Sequence, residues 1–490
     1  MTNNIKRLAV VGAGTAGLVS ALILKTRFPD MHIDIICSKK ANVIGVGEGS
    51  TEHWKEFMAH VGMDQFEMIR ECDATYKVGT MFKDWGVPDF MHSIVSEYNQ
   101  TSALYPILYG KQISEGLGSK YTQNSKFWEN KIDTYFIARP FHHPTNQYHF
   151  NANSLNKFLI KFANKKGISI IDDLIVDVNL DSDGAIDKIV GENGTYEYDF
   201  YIDSTGFKKV LISKLGAKWI SYSEYLRTNS SMVFQTPDTE EYNIYTLSKA
   251  MKYGWMFRTP TWGRWGNGYI FDDRHITAEQ AKQEVEEYLG KEITVGNVIK
   301  FEPGRLDRVW IKNCVAIGLS ASFVEPIEAS SIGTTIQQSF MLMHKLINYN
   351  PTVIDRYNKS VTDILENIRD FVCIHFINNR RDTEFWKEVA NTKLPDSLQE
   401  KLNLWKHRLP IKEDFTGRST YQLFQEIHFL MIMHGLELFD IESIKNEYNL
   451  LDNRLKDMAT GELERITNHI NSSVTISHKK MLELVRDGVR

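Results

Sequence analysis

The stretch Leu8-Ala9-Val10-Val11-Gly12-Ala13-Gly14-Thr15-Ala16-Gly17-Leu18 decides the fold. Residues 5–11 read as a short buried strand, because an apolar run ends in a glycine cluster. Residues 18–24 continue with a helical pattern, and residues 32–37 form a second strand. Strand, glycine turn, helix and strand in that order is the setting in which a G-x-G-x-x-G fingerprint binds a dinucleotide. Gly12 permits the tight turn, Gly14 lets the backbone approach a pyrophosphate, and Gly17 lets the helix lie close to the sheet. The start of the helix, at Thr15 and Ala16, offers unpaired N–H groups and a positive dipole end to phosphate.

Working outward, the fingerprint predicts an acidic residue near the end of the second strand, to hold ribose hydroxyls. Cys37 and Ser38 stand there instead, and Asp34 comes too early, so the grip on adenosine is expected to be weaker. The segments Tyr201-Ile202-Asp203-Ser204-Thr205-Gly206 and Val315-Ala316-Ile317-Gly318-Leu319 each read as a strand ending in glycine. Two such strand ends, far from the first, predict a sheet assembled around an extended cofactor. Residues 168–180, strand-like, and residues 255–271, rich in aromatics and glycine, together look like a second sheet region. From about Phe340 the pattern turns helical, with Ile364, Ile368, Phe371, Val372 and His375 at helical spacing. The expected organisation is a cofactor-binding body with a substrate-side sheet over residues 1–340, and a mainly helical subdomain over residues 341–490 packed on it.

Composition narrows the partners. The 490 residues are 42% hydrophobic and 24% charged, enough to bury a sizeable core. The net charge of −5, with Lys and Arg scattered, argues against nucleic acid as a partner. Cys37, Cys72, Cys314 and Cys373 lie far apart without a C-x-x-C pair, so neither a disulfide framework nor a metal site is expected. No apolar run approaches the roughly 18 residues of a spanning helix, and the N-terminus lacks the order of a signal peptide. The expectation is a soluble, cytoplasmic protein with no membrane partner; a homo-oligomer stays open.

Several further segments, taken together, resemble the flavin-dependent halogenases of the tryptophan halogenase type. They are Ile44-Gly45-Val46-Gly47-Glu48, Ala74-Thr75-Tyr76-Lys77-Val78-Gly79, Gly266-Asn267-Gly268-Tyr269-Ile270-Phe271, Gly304-Arg305, and Asn313-Cys314-Val315-Ala316-Ile317-Gly318-Leu319-Ser320. Phe323-Val324-Glu325-Pro326-Ile327-Glu328 and Arg381-Asp382-Thr383-Glu384-Phe385-Trp386 follow in the family order. The resemblance spans roughly residues 5 to 390 and implies an α/β, FAD-binding, Rossmann-like fold of the flavoprotein monooxygenase type with a helical C-terminal subdomain.

That resemblance also implies the chemistry. Reduced FAD (FADH2), oxygen and a halide ion (chloride, bromide or iodide) give hypohalous acid, which reaches a catalytic lysine, here Lys77. Its ammonium then hydrogen-bonds the hypohalite, or its free amine forms a haloamine; both routes stay open. Lys77 lies between Tyr76 and Val78, in apolar surroundings where burial would lower its pKa. Glu328 matches the glutamate that positions the halogenating species or takes the proton from the ring, while Glu325 is expected to be structural. Cofactor contacts are implied at Gly12, Gly14, Thr15, Ala16, Gly17, Gly49, Gly318, Leu319 and Ile332. Halide is implied near the backbone amides of Ser330 and Ser331. The partners would be a small aromatic or heteroaromatic substrate and a separate flavin reductase.

Departures from the family pattern matter too. Members commonly carry Ser-Thr-Gly after the glutamate, where this chain has Ala329-Ser330-Ser331, so the serine partner of the glutamate is lost. The W-x-W-x-I-P motif survives in part as Trp255-Met256-Phe257-Arg258-Thr259-Pro260. Beyond about residue 390 no match stands out, which points away from free tryptophan as substrate. His92 has poorly matching neighbours and reads as a surface histidine. Two rival readings share the cofactor motifs: a flavin-dependent monooxygenase, and a noncatalytic binding protein on the same fold.

Overall fold

The strand Arg7–Val11 sits in the middle of a six-stranded sheet, with the apolar run Leu8 to Val11 almost fully buried. This computed structural model describes residues 5–38, 47–93, 104–134, 147–415 and 422–488; the Ile44-Gly45-Val46 part of the motif lies outside them. Arg7–Val11 pairs in parallel with His32–Cys37 on one side and with Phe200–Asp203 on the other. Cys314–Ala316 and Ser169–Asp172 extend the parallel set outward. The two distant strands read from sequence therefore lie side by side on one flank of the fingerprint strand. Parallel strands need crossovers, so both faces become covered and the central strands are mostly apolar.

The helix Thr15–Arg27 shows why the glycines are needed. Every residue from Gly17 to Leu24 is buried, so it is packed all round and lacks an exposed polar stripe. It contacts the helices His53–Val61, Ala152–Lys165 and Ser330–Lys345. Fully burying each Leu, Ile or Val here contributes roughly 1.5–3 kcal/mol. Ser20 is tolerated because its hydroxyl bonds Ala16 O at 2.7 Å and Ser339 Oγ at 2.8 Å.

Of the predicted second sheet region, residues 255–271 lie in a seven-stranded, largely antiparallel sheet that includes Ser230–Pro237, Arg264–Phe271, Gly254–Thr261 and Thr246–Met251. Residues 168–180 do not join it: Ser169–Asp172 edges the first sheet and Ile175–Leu180 belongs to a separate three-stranded one. Thr80–Lys83 joins its edge in parallel with Thr246–Met251, and Phe90–His92 closes that edge. A small sheet of Glu48–Gly49, Gln147–Phe150 and Thr75–Lys77 lies next in the chain path. Helices dominate from Ser330 onward, and strand Thr475–Ser477 returns to pair with Lys131–Asp133. Among the described residues, no helix is long and apolar enough to cross a membrane. No disulfide joins the four cysteines.

Candidate active site

Lys77 ends the strand Thr75–Lys77 and is 2% exposed. Its Nζ donates to Ser50 O at 3.1 Å. Ser50 is itself clamped on Tyr148, donating its N–H to the Tyr148 carbonyl at 2.8 Å and accepting the Tyr148 N–H on Oγ at 2.9 Å. Burial lowers the Lys77 pKa, against the opposing charges of Glu328 and Glu52. A Cβ placed on Gly49 would lie 3.1 Å from Ala329 Cβ and 3.4 Å from Lys77 Nζ. Lysine, glycine and the residue after Glu328 thus converge on one point.

Glu328 lies in the 3-10 turn Pro326–Glu328, just before the helix Ser330–Lys345. Ala329, between them, has φ 52°, a left-handed conformation that sends the chain sharply into the helix. The Glu328 carboxylate accepts from Thr80 Oγ1 at 3.2 Å on Oε2, and Oε1 lies 3.0 Å from His92 Nδ1 and 3.2 Å from His375 Nε2. Burial alone would raise its pKa, but the His92 charge and the bonds from both histidines outweigh it and hold the carboxyl below its ordinary value. The lost serine partner is replaced by three side chains from three other elements.

His92 departs from the sequence reading. It is 4% exposed, not on the surface, and among the described residues its Nε2 has no hydrogen-bond partner. Thr80 and His92 are directly opposite each other across the strand pair Thr80–Lys83 and Phe90–His92, so both face the same carboxylate. Phe82 and Phe371 wall the group, with ring centroids 5.1 Å from His375 in each case. His428 stands edge-on to His92 at 5.5 Å.

Glu325, expected to be structural, ties its loop to a neighbouring strand. It is fully buried, accepts the Trp255 indole N–H at 2.8 Å, and burial pushes its pKa up to about 7 against the hydrogen bonds of Thr228 and Trp255. Trp255 ties the partial W-x-W-x-I-P strand to the glutamate loop, and Pro260 O accepts from Thr75 Oγ1 at 2.8 Å, tying it to the lysine strand. The C-terminal end of the chain adds a contact with no sequence signal. His478 Nε2 accepts the Tyr76 N–H at 3.1 Å, so the last helix braces the residue before Lys77.

His428 and His478 give a test of this burial. Burial first of all holds both near 4, against an ordinary value of 6.5. A depressed folded-state pKa means that the unfolded chain takes up protons first as pH falls. Each histidine therefore contributes stability that is complete above about 6.5 and is lost toward about 4, at up to ~1.4 kcal/mol per pH unit. The thermal midpoint is expected to fall steadily across that window; a flat midpoint would contradict neutral burial of these two rings.

The glycine turn is shaped for a phosphate-bearing ligand. A Cβ on Gly12, whose φ is +109°, would lie 2.3 Å from Ser204 O, and one on Gly17 would lie 2.1 Å from Gly12 O. A Cβ on Gly14 would meet nothing within 4 Å, so the open side of the turn is the start of the helix Thr15–Arg27. Gly318, φ +68°, approaches this helix so closely that a Cβ would lie 2.5 Å from Ala16 Cβ. The same helix packs on Ser330–Lys345, whose Gly333 abuts Thr51 beside the lysine pocket. These residues fit an extended dinucleotide running from the glycine turn toward Lys77. Asp34 is not free for ribose, since it is buried and bonded to Tyr198 OH and, at 2.7 Å, to His32.

The tryptophan halogenase model matches residues 7–445, and the chain belongs to that family. It is therefore an FADH2-dependent halogenase that uses FAD and halide. The match passes well beyond residue 390, which corrects the expectation that likeness ends there. Tryptophan 6-halogenase SttH of Streptomyces toxytricini is 28% identical over 459 residues, covering 84% of this chain and 86% of the relative. Tryptophan 7-halogenase RebH of Lentzea aerocolonigenes is 29% identical over 446 residues, covering 84% of each. The crystal structure of SttH superposes with a TM-score of 0.88 at 26% identity, covering 98% of this chain and 99% of that one.

Proposed function

We propose that this enzyme halogenates an electron-rich aromatic or heteroaromatic small molecule, with Lys77 directing hypohalous acid and Glu328 accepting the ring proton. The convergence of buried Lys77, Gly49 and Ala329, with Glu328 next in the chain, carries the reading. FAD would lie along Gly12, Gly14, Thr15, Ala16 and Gly17, then Gly318 and Leu319, and reach Gly49 and Ile332. When bound, reduced FAD with oxygen supplies the two-electron oxidation that turns halide into hypohalous acid. The amides of Ser330 and Ser331 open a 16-residue helix with no side-chain cap, which suits a halide. Residues 1–340 would be the flavin-binding body and residues 341–490 the helical subdomain, working in a reducing cytoplasm with a separate flavin reductase.

In the ammonium route, Lys77 Nζ donates to the hypohalite oxygen and draws electrons from the halogen. The ring carbon bonds the halogen as the oxygen–halogen bond breaks; the oxygen takes a proton from Lys77 and leaves as water. The ring C–H proton passes to Glu328, and its bonding pair restores aromaticity. In the amine route, which the lowered Lys77 pKa also suits, nitrogen carries the halogen before transfer. Because the family match continues to residue 445, free tryptophan belongs among the substrates to be tried.

The test is a panel of indoles, phenols and tryptophan, incubated with enzyme, FAD, a flavin reductase, NADH, oxygen and each halide, with free hypohalite run in parallel. A single regioisomer from one ring class is expected. The same isomer mixture as free hypohalite would show that the acid escapes, and would overturn the role of the lysine pocket.

A further inference from the structure

His375 closes the helix Pro351–His375, and both of its ring nitrogens are committed. Nδ1 lies 2.7 Å from Phe371 O, and a carbonyl only accepts, so Nδ1 carries a hydrogen. Nε2 lies 3.2 Å from Glu328 Oε1, and an ionised carboxylate also only accepts. Neutral imidazole has one donor and one acceptor nitrogen, so a neutral His375 would set a lone pair against the carboxylate. His92 Nδ1 approaches the same Oε1 at 3.0 Å, and Thr80 donates to Oε2 at 3.2 Å. Thr80 donates to this buried carboxyl, and with both imidazoles as N–H donors three donors would surround it, the arrangement that favours its ionised form.

We propose that His375 is an imidazolium and a positioning residue: held by Phe371 O, it keeps Glu328 ionised and turned so that Oε2 receives the proton of the halogenated ring. The inference rests on the reading of Glu328 as the base. Oε1 is held by two histidines, whereas among the described residues the bond on Oε2 comes from a hydroxyl that can rotate and accept instead. The proton arriving on Oε2 therefore displaces neither histidine. In this chain the histidines do what a hydroxyl at position 329 would otherwise share, since Ala329 offers none. The other titratable groups around the pair are His92 and His428, Lys77 from its strand, Glu325 in the same loop as Glu328, and Cys373 on the helix of His375.

The first experiment needs neither flavin nor substrate: nitrogen NMR of the protein labelled with 15N-histidine, at about pH 7, where free histidine is largely neutral. The signal that disappears in His375→Gln is expected to show both ring nitrogens protonated. A neutral ring with a bare Nε2 would overturn the proposal. The second is the pH profile of kcat and KM for wild type, His375→Gln, His375→Phe and Glu328→Gln, each checked for folding by circular dichroism. Both His375 variants are expected to lose about 10²-fold in kcat, the lower range for a proton-transfer group, with KM little changed and the wild-type pH profile displaced. A His375→Gln rate within about twofold of wild type, with an unmoved profile, would overturn the positioning role, a proton-transfer group being worth far more than that. If Glu328→Gln keeps the wild-type rate while NMR shows the imidazolium, the base reading of Glu328 fails and the charge assignment is supported.

Discussion

Lys77→Ala is expected to cut halogenation by at least about 10²-fold and leave the fold and FAD affinity close to wild type. The lysine is 2% exposed at the end of a short strand, and it donates to Ser50 O. Removing it takes away the donor aimed at that point and leaves a carbonyl that a water can satisfy. A buried ammonium is costly to maintain, so its loss is not expected to destabilise the chain greatly. Flavin reoxidation should continue in the variant, and with halide present hypohalous acid should appear in solution, where a scavenger such as monochlorodimedone detects it. A variant with wild-type product yield, measured by mass spectrometry, would remove Lys77 from the mechanism.

The second large effect separates two glycines that the fingerprint treats alike. Gly12→Ala forces a side chain onto φ +109° with its Cβ 2.3 Å from Ser204 O, a backbone atom of the neighbouring strand end. Strain and overpacking together should cost about 2–5 kcal/mol, enough to lower the thermal midpoint sharply or prevent folding. Gly14→Ala meets nothing within 4 Å, and its backbone, φ −69° and ψ 173°, suits any residue. It should fold normally and bind FAD roughly 10- to 100-fold more weakly, the worth of about one hydrogen bond to a charged group. Thermal melts with fluorescence titration of FAD check both; equal behaviour of the two variants would contradict the cofactor placement.

The glycine turn was legible because its signal is local: an apolar run, three spaced glycines and a helix follow each other directly in the chain. Lys77 and Glu328 were legible only through the longer motifs around them, because a lone lysine or glutamate carries no such pattern. His92 was missed for a physical reason. Its burial depends on the pairing of Thr80–Lys83 with Phe90–His92, and on a helix from far along the chain, Glu426–Gly435, packing against that strand. His375 did leave a trace, as the one polar member of the stripe Ile364, Ile368, Phe371 and Val372. A histidine on such a face is usually satisfied by the helix behind it, and half of that expectation holds, since Nδ1 bonds Phe371 O. The other half required knowing where Glu328 lies. His478, bracing the Lys77 strand from the last helix, had no signal at all.

The partial W-x-W-x-I-P strand keeps one competing outcome concrete. Thr259 puts a hydroxyl in a strand position next to Gly47, with the Thr259 Cβ 3.6 Å from where a Gly47 side chain would begin. Oxygen transfer to the substrate in place of halide oxidation would leave a different mass on the product. The most direct measurement is therefore the mass of the product formed by the wild-type enzyme with FAD, a flavin reductase, NADH and oxygen, with and without bromide. A product that gains bromine in place of hydrogen, only when bromide is present, is the predicted result; a product that gains oxygen whether or not bromide is present would contradict the account.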